Sequence, residues 1–122
     1  MPNIFGRLRG SGGGKHYALS ADKIKPVAQG HGGCIATDAV TVEGRKVGYM
    51  ARDAATYPED SGWSFFAGDE TPEYLDDPGN SGVFDVNTIA NYDPDIIPFL
   101  DAPVGSRFIR WPPSSPLRPD TD

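Results

Sequence analysis

The side chains in this chain that could do chemistry are two histidines, one cysteine and many carboxylates, and their spacing restricts what each can do. His31 and Cys34 have the x-x separation of a metal half-site, with His16 upstream. A tetrahedral structural zinc site needs about four ligands, and no second Cys-x-x-Cys or histidine pair completes it. A loop histidine and a small buried residue at a strand start are the expected roles. Cys34 as a nucleophile would need a neighbouring base, and only His31 is close in sequence. Ser61 in Glu59-Asp60-Ser61-Gly62-Trp63 and Ser81 in Asn80-Ser81-Gly82 superficially resemble serine nucleophiles. Neither sits in G-x-S-x-G, and both histidines fall in the first third of the chain. The turn explanation is simpler: Asp60 and Ser61 satisfy backbone donors, and Gly62 permits the bend before Trp63. The glycine-rich run ending in Gly14-Lys15 departs from a phosphate loop, because Arg9 and His16 occupy its glycine and Ser/Thr positions. Asp69-Glu70 is the densest carboxylate pair, and with Asp76-Asp77 it could gather a hard cation, but the EF-hand spacing is missing. First-turn acids and turn residues account for most of these side chains. The expectation is a protein with no metal, no cofactor and no enzymatic activity.

Charge is the stronger signal. The net charge of -6 is the sum of a basic first 26 residues (Arg7, Arg9, Lys15, Lys23 and Lys25 against Asp22) and an acidic remainder. From Asp53 to Asp101 there are twelve acids and no Lys or Arg. Such a stretch repels nucleic acid and speeds association with cationic surfaces, so the expected partner is a basic protein rather than DNA or RNA. No apolar run reaches the length of a membrane span, so no membrane partner is expected. The N-terminus has bases but no apolar segment of the kind that directs secretion, and a single cysteine suits a reducing compartment; a cytoplasmic protein is expected.

The elements that would hold these residues lie between loose ends. Residues 1–26 read as a flexible, basic, glycine-rich tail and 112–122 as a proline-rich tail with too many prolines to join a sheet. Between them, 27–111 reads as one domain of modest core. A first strand is expected over 34–37 and 40–42, and four more at 47–51, 63–67, 83–86 and 105–111, with a hairpin linking 40–42 to 47–51. Thr71-Pro72 and Asp93-Pro94 carry the cap-then-proline signature of short helices, and Val86, Ile89 and Tyr92 share one helical face. The fold class is α+β: an antiparallel sheet of about five strands with two short helical segments on one face and flexible termini. The expected core is Ile35, Val47, Tyr49, Trp63, Phe65, Val83, Ile89, Ile97, Leu100 and Phe108.

Five blocks taken together resemble a known family. They are Val47-Gly48-Tyr49-Met50, Asp60-Ser61-Gly62-Trp63, Phe66-Ala67-Gly68-Asp69-Glu70, 85–93 (DVNTIANYD) and 97–105 (IPFLDAPVG). In this order they are similar to a bacterial family first catalogued as a domain of unknown function (number 2185) and later classed as immunity protein family 33, over roughly residues 24–111. The resemblance implies a protein that stands beside a polymorphic toxin and neutralises it by direct binding. It carries over no catalytic residues. Its shared positions, Asp60, Ser61, Gly62, Trp63, Asp69, Glu70, Asn87, Asn91 and Asp93, either hold the fold or line a common surface. Two other functions fit the residues alone: a small ligand-binding domain or enzyme using a pocket beside Trp63, Asp69 and Glu70, and a regulatory module that binds some other basic protein.

Overall fold

The computed structural model describes residues 15–121, and the glycine-rich segment ahead of Lys15 lies outside them. Six strands form one sheet: β1 (Gly33–Thr37), β2 (Tyr49–Arg52), β3 (Asp60–Phe66), β4 (Ser81–Asp85), β5 (Arg107–Ile109) and β6 (Arg118–Pro119). Their spatial order is β4-β1-β3-β2-β5-β6. Every neighbouring pair is antiparallel except β1 and β3, which run parallel. Three short helices, α1 (Asp38–Thr41), α2 (Pro72–Asp76) and α3 (Val86–Tyr92), join a 3-10 segment at Pro94–Phe99. The α+β class holds, with one more strand than the sequence suggested.

The helices begin where local chemistry dictates. The Thr71 hydroxyl accepts from the Tyr74 amide at 3.1 Å, with Pro72 in the first turn of α2. Asp85 accepts from the Asn87 amide at 2.8 Å and starts α3, and Asp93 accepts from the Asp95 amide ahead of Pro94. Each cap satisfies a backbone donor that the first turn leaves without a partner.

One face of the sheet is covered. Cys34, Ala36, Met50, Trp63, Phe65 and Phe108 point inward and meet Val40 of α1, Val86, Ile89 and Ala90 of α3, and Ile96 and Leu100 beyond it. Among the described residues no helix packs on the opposite face, and there the core expectation needs two corrections. Ile35 and Val83 are exposed and sit directly opposite each other on β1 and β4. In β1 the inward positions hold the small Cys34 and Ala36, so the bulkiest aliphatic residue marks the wrong face. Tyr49 and Ile97 are half-buried, while the other six expected core residues are buried.

Residues 40–42 are not a strand. Val40 and Thr41 belong to α1, where tertiary packing overrides the β preference of a short β-branched run. The expected hairpin is therefore absent, and β2 pairs with β3 and β5 instead. The proline-rich end also joins the structure: Arg118–Pro119 pairs with β5, and Leu117 is buried in the core. Proline is tolerated there because β6 is an edge strand. Ahead of residue 27, the Ala18 amide donates to the Thr41 carbonyl at 2.8 Å, so residues 15–26 run against the helical layer.

Candidate functional site

The residues singled out in the sequence fall into separate groups rather than one surface. At the start of β3, the Asp60 carboxylate accepts from the Thr56 amide at 2.9 Å and the Gly62 amide at 2.8 Å. Those two backbone bonds hold its carboxyl below the usual range. The Ser61 hydroxyl is buried and accepts from the Trp63 amide at 3.0 Å. Gly62 has φ 86°, and a Cβ there would overlap the Asp53 carbonyl, so only glycine fits. Trp63 is fully buried, its indole donating to the Leu100 carbonyl at 3.1 Å, and so lines no open pocket. These four residues build the bend that leads the chain into the central strand.

Asn87 and Asn91 lie one turn apart on α3 and fasten the N-terminal approach. The Asn87 side chain accepts from the Val27 and Ala28 amides, each at 2.8 Å, and donates to the Lys25 carbonyl at 2.9 Å. Asn91 accepts from the Lys25 amide at 2.9 Å and donates to the same carbonyl at 2.8 Å. Asp93 forms a third centre. Its side chain is 0% exposed and accepts from the Val47 amide at 2.9 Å and from Arg110 Nη2 at 2.7 Å. Arg110, with its side chain only 3% exposed, also donates to the Val47 carbonyl at 2.7 Å and to Asp95 at 3.0 Å. No sequence motif pointed to Arg110 as the partner, because the two residues lie on different elements.

Glu70 is taken up by the fold as well. Its carboxylate accepts from the Thr37 hydroxyl at 2.6 Å and from the Ala67 and Gly68 amides at 2.8 Å. Partial burial pushes its pKa up, but these bonds outweigh it and the net shift is downward. Asp69, its neighbour, is exposed and pairs with Arg45 at 2.8 Å, which lowers its pKa too. Neither is the raised carboxyl that a general acid requires. Asp69 does line a concavity of about 470 Å³, together with Tyr49, Ile109, Trp111, Pro113, Arg45 and Lys46. Gly48 and Ala67 also line it, and they pass so close that a Cβ on Gly48 would overlap the Ala67 carbonyl.

The remaining reactive candidate is quiet. Cys34 is buried, and desolvation, aided by Asp85 and Asp60, pushes its thiol far above the ordinary range. A thiol held protonated is a poor nucleophile. Among the described residues no three His, Cys, Asp or Glu side chains gather to hold a metal ion, and no helix is long and apolar enough to cross a membrane.

Folding redistributes the acidic stretch. Bases from outside it return to pair with four of its acids: Arg107 with Asp53, Arg45 with Asp69, Arg110 with Asp93, and Lys46 and Arg110 with Asp95. All four bases lie around β2 and β5. The other eight acids have no base within ion-pair distance among the described residues. Six of them lie near β4: Asp85 at its end, Glu73, Asp76 and Asp77 in and just after α2, and Glu59 and Asp60 at the start of β3.

A family model described as the immunity protein Imm33 domain matches residues 34–118. No curated protein and no solved structure matches the chain.

Proposed function

The chain belongs to the immunity protein Imm33 domain family, and from that membership we propose that it neutralises a toxin by direct, non-catalytic binding through its acidic surface. The match over residues 34–118 is the observation that carries this function, since it takes in all six strands but for Gly33 and Pro119, and α1, α2 and α3. Two features of the molecule support the mechanism. The polar side chains of the family blocks are occupied with caps, turns and a buried ion pair, which leaves them a structural role. The acids with no base nearby give a negative field that attracts a cationic partner and raises its association rate. A toxin that acts on nucleic acid carries such a cationic surface, and an acidic face would compete for it. The cytoplasm is where this function would be exercised.

The concavity beside Trp111 favours a second function, in which a small ligand binds between Tyr49, Ile109 and Pro113. Its lining includes Arg45 and Lys46, so a cationic toxin and an apolar or anionic ligand would use different parts of the molecule. Co-expression with any toxin encoded beside its gene tests the first function: growth should be restored, with a complex that weakens as salt rises. Full toxicity in the presence of folded protein would refute it for that pair.

A further inference from the structure

Resting on the immunity function above, we propose that the toxin docks on the β4 edge and the apolar patch beside it, contributing an extended basic segment that adds to the sheet as a further strand. β4 is the outermost strand, and among the described residues it pairs with β1 alone. One side of its backbone therefore has no strand partner among the described residues. Proteins usually blunt such an edge with lysine, proline, a bulge or a covering element. The sequence of β4, Ser81-Gly82-Val83-Phe84-Asp85, has neither lysine nor proline, and its pairing with β1 runs in unbroken register.

The outer face beside this edge is apolar. Val83 is 70% exposed, Ile35 opposite it 47%, and Tyr57 42%. Tyr57 belongs to the same patch, because its hydroxyl lies over Gly33, 2.7 Å from where a Cβ would stand. Gly33 is two residues from Ile35 on the same side of β1, directly opposite Asp85. Tyr17 packs edge-to-face on Phe84, on the covered side of the sheet, and leaves Val83 uncovered.

Charge selects the occupant. Glu59, Asp60 and Asp85 border the patch, and Asp76 and Asp77 precede β4 across one 3-10 turn, all without a base in ion-pair distance among the described residues. A second copy of this chain added edge to edge would bring the same acids together and be repelled. An extended segment alternating apolar residues with Lys or Arg satisfies all three features: main-chain bonds to the edge, apolar contact with Val83 and Ile35, and neutralisation of the carboxylates.

The test measures affinity for the purified toxin domain encoded beside the gene, using wild type, Val83→Lys, Glu59→Lys and, as a control at the concavity, Trp111→Ala. Val83 and Glu59 are solvent-exposed, so circular dichroism should show both variants folded. Val83→Lys is expected to weaken binding at least tenfold and to lose protection in cells. Glu59→Lys should slow association several-fold and flatten the salt dependence, while Trp111→Ala should stay within twofold. Outward-facing amides of β4 should also become slow to exchange in the complex. Affinity unchanged by Val83→Lys while wild type protects overturns the docking site alone, as does a wild-type dimer that Val83→Lys dissociates. A wild type that neither binds nor protects overturns the immunity function and the docking site together.

Discussion

Replacing Asp93 with alanine should expose how the fold depends on its buried ion pair. Asp93 accepts three bonds, from the Val47 amide at 2.9 Å, Arg110 Nη2 at 2.7 Å and the Asp95 amide at 3.1 Å. Removing it leaves a guanidinium that is 3% exposed without its buried counter-charge, and a buried Val47 amide without an acceptor. Breaking a buried pair from one side costs about 3–5 kcal/mol. Arg110 retains Asp95 and the Val47 carbonyl, which favours the lower half of that range. At about 4 °C per kcal/mol for a domain of this size, the midpoint of thermal unfolding should fall by about 12–16 °C. Urea titration of wild type, Asp93→Ala, Arg110→Met and the double variant forms a cycle that isolates the pair. The double variant should cost about 1–3 kcal/mol less than the two single losses added together, since it strands no charge. A loss below about 1 kcal/mol in Asp93→Ala, or strict additivity, would refute the assignment of this pair as the clip between the loop before β2, β5 and the Pro94–Phe99 segment.

Glu70→Gln should cost about 1–2 kcal/mol at neutral pH, the value of hydrogen bonds to a carboxylate discounted for its partial exposure. Because the folded state depresses the Glu70 pKa, its contribution is complete above the unfolded value of about 4.3 and is lost as the pH falls through the lower folded value. The gap between wild type and variant in urea midpoints should therefore shrink below about pH 4; a gap that widens there would contradict the sign. Leu117→Ala should destabilise by about 2–3 kcal/mol, since the side chain is buried in the core. A urea midpoint unchanged by that substitution would show the C-terminal segment to be dispensable.

Local chemistry carried most of what could be read in advance. Thr71 and Asp93 each lie just before a helical turn and cap it, because capping depends on residues two or three apart. The bend at Asp60-Ser61-Gly62 was legible for the same reason. What failed was non-local. Residues 40–42 look like strand, yet β1 already fills the adjacent place in the sheet, and Val40 is better buried as part of α1. Leu117 and Pro119 read as tail because proline count says nothing about an edge strand waiting beside β5. Of the expected surface residues, only Asp69 reaches the concavity, and its acid partner Glu70 turns inward to Thr37. Ile35 and Val83 were assigned to the core on hydrophobicity alone; alternation along β1 and β4 places them outside.

That last pair of misplacements is also informative about function. A chain that leaves Ile35 and Val83 on the open face of β1 and β4 forgoes their burial in the core and raises its tendency to associate. The acidic stretch behaves in parallel. It is continuous in sequence, but the bases that return to it settle around β2 and β5, while Glu59, Asp60, Asp76, Asp77 and Asp85, near β4, have no ion-pair partner among the described residues. Exposed apolar surface and unneutralised acid thus coincide at one edge of the sheet, although each alone would cost less if dispersed. Their coincidence is what a surface specific for a cationic, partly apolar strand requires: the apolar contact supplies attraction, and the carboxylates exclude a second copy of the same chain while admitting a basic one.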